Sequence, residues 1–513
     1  MRHLSETSSD WSCRVGGAGR CWRVGLSALA AASVVTIAPI GSSAQAPTET
    51  VRLAEQTLAR AVRYFRGKVA VQGSYLWTYS PDLMSRRGET PATASQGWVQ
   101  PPGTPSVGLA YLDAHIATGE RMYLDAALET AKSLCKTQLS SGGWDYVIEF
   151  DPEKARAWHY RTDVEAGDDE GKGRKRTTTL DDDTSQSALR FLMRLDRVLN
   201  GSDPELRRAV DYAFHRLTEM QYPNGAWPQR SDGTLKNHAD YPVQQSRYPE
   251  SWSRIWPNED YRDHYTFNDG AIRDVVLCFL EGGTRYLHGE RINAALRGGE
   301  FILRAQLPEP QPAWAQQYNR MLEPAWARKF EPPSVTAGES VGVIRTLLDL
   351  YLFTGDERWI QPVEPAVAWL KRSSFQKSGR AMWARFYELQ TNRPLYFTRD
   401  YRLVYQDDDL PTHYSFQSEY GVPAVIRTYE EIRRKGRDAY RTDAAKARAA
   451  AVRAHSPERD GRIRELCNSL GTEDRWVDGD QLRCQTFVRN VETLSRYIGG
   501  MKGKSFRETV FEP

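Results

Sequence analysis

Apolar residues in the central part of the chain recur at three- and four-residue steps, which is the spacing of amphipathic α-helices. Four stretches repeat one pattern of an apolar helix, a short break containing glycine, and a second helix. They begin at Ser106, Thr184, Asp269 and Glu339, and their breaks read ATGE, LNGSD, LHGE and FTGDE. No comparable run of alternating polar and apolar residues predicts a strand. The pattern therefore predicts an all-α fold.

Helical hairpins repeated at intervals of roughly 80 residues are typical of stacked or ring-closed helical architectures. Ring closure into an α/α toroid would gather the starts of the first helices, with their positive dipole ends, around a common cleft. The segments that carry candidate chemistry fall before these helix starts, which favours the toroid. An open α-solenoid used as a binding scaffold is the alternative.

Outside the repeats, the two ends of the chain differ in composition from its centre. In residues 1–46, Arg14, Arg20 and Arg23 precede the apolar run VGLSALAAASVVTIAPIG, and the small residues AQA follow it, which is the pattern of a secretion signal. A membrane anchor is the alternative, although a run of about 18 residues rich in Ala, Ser and Gly is marginal for a span. We expect a secretion signal at 1–46, a toroid domain at 47–432 and a charged helical extension at 433–513.

Charge, aromatic content and cysteine usage narrow the class of protein. The net charge of +3 and the absence of a basic run interleaved with aromatics argue against a nucleic-acid partner. The 15 Trp and 25 Tyr are typical of proteins that use flat rings as platforms for sugars, although such residues also fill cores. We expect a soluble monomer after signal removal. Cys467 and Cys484 are a plausible local disulfide, whereas Cys135 and Cys278 are expected to be buried thiols.

Aspartates stand directly before two of the repeat helices. The stretch TTTLDDDTSQ contains Asp181, Asp182 and Asp183, and YTFNDG contains Asp269. Helix capping explains a single carboxylate, but three together indicate a cation or a substrate that brings one. Two carboxylate groups on one cleft are the minimum for binding calcium, or for acid–base catalysis on a sugar bond.

Arginines supply the complementary charge. Arg328 lies in a loop before the fourth repeat, and the stretch MWARFYELQTNRPLYFTRD places three more among aromatic side chains: Arg385, Arg393 and Arg399. An arginine in an aromatic setting can stack and still present a fork to a carboxylate. Each could instead pair with a nearby acidic residue such as Asp400. Several such loops at one cleft favour a bound polyanion with a divalent cation.

Five segments in order, TLDDDTSQ, QYPNGAWPQ, YTFNDG, ARKFEPPSVTAGESVG and ARFYELQTNRPLYFTRD, resemble the pectate lyases of polysaccharide lyase family 10. The resemblance covers roughly residues 105–430. It implies an (α/α)3-like barrel and calcium-assisted β-elimination on polygalacturonate, and the signal pattern predicts that the enzyme is secreted or periplasmic. The resemblance also implies roles for individual residues, which are calcium binding by Asp181 and Asp269, proton abstraction by Arg328, and substrate binding by Arg399, Arg393, Asn224 and Trp227. The segment between WPQ and YTFND is longer than in the family.

The implied chemistry is consistent with these residue types. Calcium would neutralise the uronate carboxylate and stabilise an enolate-like intermediate. Arg328 as base is the demanding step, because a guanidinium has a pKa above about 12, and we therefore expect a rate that rises toward alkaline pH. The alternatives are a glycoside hydrolase that uses paired aspartates, including Asp269, on an α/α toroid, and a polysaccharide-binding protein without activity.

Overall fold

The computed structural model describes residues 49–453 and 456–504. The predicted secretion signal, residues 1–46, lies outside the described residues. Within them, no helix combines the length and apolar character that a membrane span requires. The described α-helices are α1 (Glu49–Tyr64), α2 (Thr104–Thr118), α3 (Arg121–Lys136), α4 (Pro152–Ala155), α5 (Arg161–Glu165), α6 (Thr184–Val198), α7 (Pro204–Glu219), α8 (Ala271–Arg285), α9 (Gly289–Ala305), α10 (Ala337–Thr354), α11 (Val363–Arg372), α12 (Val422–Lys435), α13 (Arg437–Arg453), α14 (Pro457–Asn468) and α15 (Cys484–Met501).

The four predicted hairpins are present as α2–α3, α6–α7, α8–α9 and α10–α11. Their first helices pack in sequence, α2 on α6, α6 on α8 and α8 on α10. Helix α13 then contacts both α10 and α15, and α15 packs on α2. The contacts therefore run around a closed ring, and the predicted all-α, α/α-toroid fold is confirmed.

The two layers of the ring differ in how they bury their residues. The first helix α10 buries side chains on most of its surface, among them Val341, Ile344 and Leu347, because it has neighbours on several sides. The second helix α7 buries only one stripe, which includes Val210 and Phe214 at a four-residue step. A single apolar stripe is typical of a helix with one face in solvent, so the second helices form the outer layer.

Short antiparallel strands connect the helices. Their sheets have the orders β16-β1-β2, β10-β11-β15 and β14-β13-β12-β9, with the pairs β3-β4, β5-β6 and β7-β8. The strands are β1 (Thr78–Tyr79), β2 (Arg86–Arg87), β3 (Gln96–Trp98), β4 (Val147–Glu149), β5 (Thr178–Thr179), β6 (Arg230–Ser231), β7 (Tyr265–Thr266), β8 (Gln317–Tyr318), β9 (Val335–Thr336), β10 (Phe375–Lys377), β11 (Arg380–Ala384), β12 (Phe386–Tyr387), β13 (Pro394–Phe397), β14 (Leu403–Val404), β15 (Gln417–Ser418) and β16 (Leu482–Arg483). Strands β5, β7 and β9 end just before α6, α8 and α10 and so fix where these helices begin.

Four buried tryptophans have the same role in successive repeats. Each follows a second helix and donates its indole N–H to a backbone carbonyl in the last turn of that helix. The pairs are Trp144 with Leu134, Trp227 with Leu217, Trp314 with Ile302, and Trp383 with Leu370. The last carbonyls of a helix have no partner within the helix, so these indoles stabilise the helix ends.

Three glutamines join each hairpin to the next. Each side-chain amide donates to a carbonyl of its own turn and to a carbonyl of the following repeat. The donors and acceptors are Gln138 with Gly142 and Ala209, Gln221 with Gly225 and Ala294, and Gln306 with Pro312 and Pro362. These contacts satisfy buried polar groups and fix the spacing between repeats.

The C-terminal helices belong to the same compact unit as the repeats, which spans Pro47–Pro513. Helix α13 is exposed along most of its described side chains, as its charged sequence predicts, whereas α15 buries Phe487, Leu494 and Ile498. The described part of the predicted extension at 433–513 therefore contributes to the ring through α15. Cys467 and Cys484, whose pairing the sequence left open, are both buried free thiols, as are the other cysteines of the described ranges.

Candidate active site

A cleft of about 500 Å³ lies at the end of the ring where the first helices begin. Its walls come from the connections that precede α6, α8 and α10, and from the long loops between repeats. The lining includes the following acidic, basic and polar residues: Glu89, Gln100, Tyr146, Asp181, Asp182, Arg230, Tyr261, Arg262, His264, Asn268, Asp269, Gln316, Arg328, Glu331 and Tyr414.

Two matched turns carry the aspartates of the cleft. Residues 181–183 and 268–270 each form a 3-10 turn directly before an inner helix, and the two turns pack against each other. Asp182 and Asp269 occupy the same position in their turns, with φ of 52° and 49°. Asp is one of the few residue types that visits this left-handed region routinely. The repeat thus places two equivalent aspartates face to face.

Asp181, Asp182 and Asp269 form an acidic cluster. One carboxylate oxygen from each lies within 4.8 Å of the others. No lysine or arginine of the described ranges forms an ion pair with any of the three. The Tyr146 hydroxyl donates toward Asp181 at 3.3 Å and Asp182 at 3.1 Å, and the Asn268 amide donates to Asp269.

Burial and mutual repulsion raise the pKa values of two aspartates in this cluster. Burial raises the pKa of Asp269 to about 6, and repulsion from Asp182 and Asp181 adds to the effect. Burial, followed by repulsion from Asp181, also raises the pKa of Asp182. The Oδ1 atom of Asp181 is buried without a hydrogen-bond partner. Adjacent carboxylates with an unused buried oxygen fit a calcium ion, which takes about six to eight oxygen ligands.

Asp183 has a different role from its two neighbours. Its carboxylate accepts from Arg190 at 3.0 Å, and Arg190 also faces Asp274 at 3.5 Å inside the ring. Burial raises the pKa of Asp183 to about 6. The triple aspartate is therefore divided, with two carboxylates at the cleft and one in the packing of α6 against α8.

Arg328 faces the same cleft and is held by a carboxylate. Its Nε donates to Glu331 Oε2 at 2.8 Å and its Nη2 to Glu331 Oε1 at 2.6 Å. Tyr414 donates to the same Glu331 oxygen at 2.9 Å. The hydrogen bonds to Glu331 raise the pKa of Arg328 above its ordinary value. Because these contacts use Nε and Nη2, the guanidinium has a fixed orientation and Nη1 remains for another partner.

Arg385 lies beneath the acidic cluster. Its Nη2 donates to Glu339 at 3.0 Å and to Asn268 at 3.3 Å, and its guanidinium stacks on Tyr414 at 4.1 Å. Arg385 therefore stacks on an aromatic ring, and it also pairs with an acidic residue of the protein. Since Asn268 in turn donates to Asp269, Arg385 supports the turn that carries this aspartate.

Arg393 and Arg399 are exposed and are not among the residues that line the cleft. Arg393 stacks on Tyr405 at 3.8 Å, and Arg399 faces Asp409 at 3.4 Å. Tyr401, two residues after Arg399, packs on Phe330 at 5.5 Å. The structure therefore brings Asp181, Asp269 and Arg328 together in the cleft. Arg393 and Arg399 lie on exposed surface outside it.

Comparison with known proteins identifies the family. The family model described as pectic acid lyase matches residues 152–421, which is more than half of the chain. The chain belongs to the pectic acid lyase family. It is accordingly a polysaccharide lyase that acts on pectate. No curated protein matches the chain.

Several solved structures are similar to this chain. A family 10 polysaccharide lyase from Cellvibrio cellulosa is 22% identical with a TM-score of 0.43, over 64% of this chain and 97% of that chain. An aspartate-to-alanine mutant of that enzyme, in complex with trigalacturonic acid, has the same identity and TM-score and is covered over 98% of its length. A family 76 mannosidase from Bacteroides thetaiotaomicron is 9% identical with a TM-score of 0.42, over 88% and 98% of the two chains.

In this pectate lyase two predicted substrate-binding residues are packing residues instead. Asn224 and Trp227 are each 1% exposed and do not line the cleft. The Asn224 amide donates to the Tyr265 hydroxyl at 2.7 Å, and the Trp227 indole N–H caps α7. The prediction of direct substrate contact is wrong for both, because the QYPNGAWPQ loop uses its polar groups to hold one hairpin against the next.

Sequence reasoning gave no individual role to Asp182, which it named only as part of the triple aspartate, and it did not mention Tyr146 or Arg230. Asp182 aligns with Asp269 when TLDDDT is set beside TFNDGA, so the internal repeat contains the signal that places it in the acidic cluster. Tyr146 and Arg230 lie just beyond the GGW and WPQ elements. Their approach to the aspartates depends on strand pairing between distant segments and has no signal in the local sequence.

Proposed function

We propose that this pectate lyase cleaves polygalacturonate by calcium-assisted β-elimination and releases 4,5-unsaturated oligogalacturonides. The observation that carries the proposal is the meeting of Asp181, Asp182 and Asp269 within 4.8 Å in the cleft that also contains Arg328. The three aspartates would hold the calcium ion together with a carboxylate of the substrate. Bound there, calcium would neutralise that carboxylate and make the C5 proton next to it easier to remove.

The chain's own residues then have to accept this proton. In β-elimination the electrons of the C5–H bond form the C4=C5 double bond, the C4–O bond breaks, and the leaving oxygen takes up a proton. We assign the base role to Arg328, whose guanidinium is oriented toward the cleft by Glu331. Because Glu331 raises the pKa of Arg328, the neutral base is scarce near pH 7, and the rate is expected to rise toward alkaline pH.

Substrate recognition and location complete the proposal. Arg399 lies two residues before Tyr401, whose ring packs on Phe330 next to Arg328, and we propose on this basis that Arg399 contacts the polymer beyond the reacting sugar. We propose export from the cytoplasm, to the periplasm or the outside of the cell, on the basis of the signal pattern in residues 1–46.

One assay tests the reaction class. The protein is incubated with polygalacturonate in calcium or in EDTA, and both reducing ends and the ultraviolet absorbance of unsaturated ends are followed. We expect both signals to rise together in calcium and to stop in EDTA, and Asp269→Ala to abolish turnover while leaving the circular dichroism spectrum unchanged. Reducing ends without absorbance would show hydrolysis. Binding without either signal would show a carbohydrate-binding protein. Full activity in EDTA would contradict the role of calcium.

A further inference from the structure

Three arginines line the cleft, and two of them are already paired. Arg262 donates to Asp260 at 2.8 to 3.1 Å, and Arg328 donates to Glu331. Arg230 has no carboxylate oxygen within 4.0 Å among the described residues. Its guanidinium is therefore the cation of the cleft that is available to an anionic ligand.

Arg230 is fixed beside the acidic cluster by strand pairing. It stands opposite Thr179 in the β5–β6 pair, and the N–H of Leu180 donates to the Gln229 carbonyl at 2.9 Å. Because Leu180 is followed directly by Asp181, the same pairing positions both the aspartate turn and the arginine. The placement does not depend on a flexible loop.

The guanidinium is also held by an aromatic stack. Its central carbon lies 5.0 Å from the ring centroid of Tyr146, and the Tyr146 ring stacks on Trp98 at 6.1 Å with an interplanar angle of 20°. The Tyr146 hydroxyl donates to Asp181 and Asp182. A stacked guanidinium keeps its edge available for two parallel hydrogen bonds to a carboxylate. The side chain of Tyr146 thus lies between the Arg230 guanidinium and the acidic cluster.

We propose that Arg230 forms a uronate-binding subsite, in which it binds the carboxylate of the galacturonate next to the one held at Asp181, Asp182 and Asp269. The inference rests on the proposed function. Calcium and Arg230 would then each neutralise one carboxylate of neighbouring sugars, which gives the cleft a preference for stretches of free, unesterified acid. The guanidinium carbon of Arg230 lies 5.0 Å from the centroid of the Tyr146 ring, and the hydroxyl of the same tyrosine lies 3.1 Å from Asp182, so the two anion-binding groups are close neighbours in the cleft.

Arg230 could instead serve only to offset the negative charge of the aspartates. The two roles make opposite predictions. If Arg230 binds substrate, its loss raises KM for polygalacturonate and leaves the calcium dependence nearly unchanged. If it only offsets charge, its loss tightens calcium binding, because a neighbouring positive charge disappears, and KM stays the same.

The test compares Arg230→Gln, Arg230→Lys and wild type, with kcat, KM and the calcium concentration at half-maximal rate measured for polygalacturonate. We expect Arg230→Gln to raise KM about tenfold, as for loss of one charge-assisted interaction, with kcat and the calcium midpoint within about twofold. Arg230→Lys should recover part of the loss, because the charge remains without the fork. Arg121→Gln, an exposed change on the outer helix α3, is the matched control and should leave all three parameters unchanged.

Each outcome supports or refutes the role of Arg230 in substrate binding. An unchanged KM in Arg230→Gln would overturn the subsite, and a lowered calcium midpoint with unchanged KM would assign Arg230 to charge compensation. A wild-type protein without calcium-dependent elimination would refute the proposed function itself, whereas an active wild type beside a normal Arg230→Gln would refute the subsite alone. Because Arg230 is exposed, neither substitution removes core packing, and thermal unfolding of the variants confirms this.

Discussion

The guanidinium of Arg328 contacts Glu331 through two nitrogens, so its geometry is as important as its charge. A lysine has one compact ammonium group and cannot reproduce both contacts while facing the cleft. We expect Arg328→Lys to lower kcat/KM by about 100-fold or more, nearly as much as Arg328→Ala, because a positioned base contributes at least that factor. The measurement is the initial rate on polygalacturonate in saturating calcium.

Arg121→Lys, an exposed change on α3, is the control for the chemistry of the substitution and should behave as wild type. If Arg328→Lys keeps most of the wild-type rate, the assignment of Arg328 as base is wrong.

The acidic cluster should affect stability as well as activity. Asp269 has a pKa of about 6 in the folded protein, above the ordinary value of about 3.9 for an unfolded chain. Between pH 4 and pH 6 this carboxyl is mostly ionised in the unfolded chain but still mostly protonated in the folded protein. Its contribution therefore lowers the free energy of unfolding as the pH rises through this range. In EDTA, Asp269→Asn should therefore unfold at a higher temperature than wild type at pH 7.5 and at the same temperature at pH 4.

The expected gain is about 1 kcal/mol or less, because the Asp269 side chain, although partly surrounded by protein, opens onto the cleft, where solvent screens its repulsion. Asp408→Asn, at an exposed position outside the cleft, is the control and should show no such pH dependence. A wild-type protein that becomes more stable from pH 4 to 7.5 relative to Asp269→Asn would contradict the raised pKa.

Single residues could be predicted where the motif itself sets their position. Asp181 and Asp269 stand two or three residues before an inner helix, and Arg328 lies in the loop that leads into α10, so ring closure brings them to one end of the molecule. Asn224 and Trp227 could not be assigned in this way. Their polar atoms bond to partners at Tyr265 and Leu217, and a hydrogen-bond partner in a folded structure cannot be read from a short motif.

At the level of elements, the glutamines between repeats are predicted to stabilise the ring without contacting substrate. The Gln221 amide donates to Gly225 and Ala294, and its oxygen accepts from Arg297. Gln221→Leu would leave these buried groups unpaired, and we expect a loss of about 2–3 kcal/mol in the free energy of unfolding. Urea unfolding followed by tryptophan fluorescence measures this change.

Gln56→Leu, at an exposed position on α1, is the matched control and should have little effect on stability. KM of Gln221→Leu for polygalacturonate should equal that of wild type at temperatures where the variant is folded. A raised KM with unchanged stability would place Gln221 in the substrate site instead.

Helices and strands differ in how far the sequence predicts them. The four hairpins were predictable because each helix is long enough to show several repeats of its apolar spacing. Strands such as β5, β6 and β7 contain two residues each and cannot show an alternating pattern. They form because ring closure brings their loops together, and they in turn determine which side chains face the cleft.

At the level of the whole molecule, closure of the ring depends on contact between the two ends of the described chain. Helix α15 packs on both α1 and α2, although several hundred residues separate them in sequence. The many charged residues of α13 correctly predicted an exposed helix. Nothing in the local sequence of α15 predicts that this helix packs on α2. The partners of an apolar stripe are set by topology, which is why the C-terminal part of the fold could not be predicted.

A core substitution in α15 tests whether this closure holds the whole toroid together. Leu494 is 0% exposed and belongs to the hydrophobic core, so Leu494→Ala removes buried surface and leaves a cavity at a cost of about 2–5 kcal/mol. Thr493→Ala, at the adjacent exposed position, should change stability by about 0.5 kcal/mol or less. If the ring unfolds as one cooperative unit, Leu494→Ala lowers two transition temperatures to the same extent. One is the temperature at which pectate lyase activity is lost on heating, which reports on the distant cleft. The other is the unfolding temperature measured by circular dichroism. Activity that persists after α15 has melted would show that the hairpins α2 to α11 are stable without the C-terminal helices.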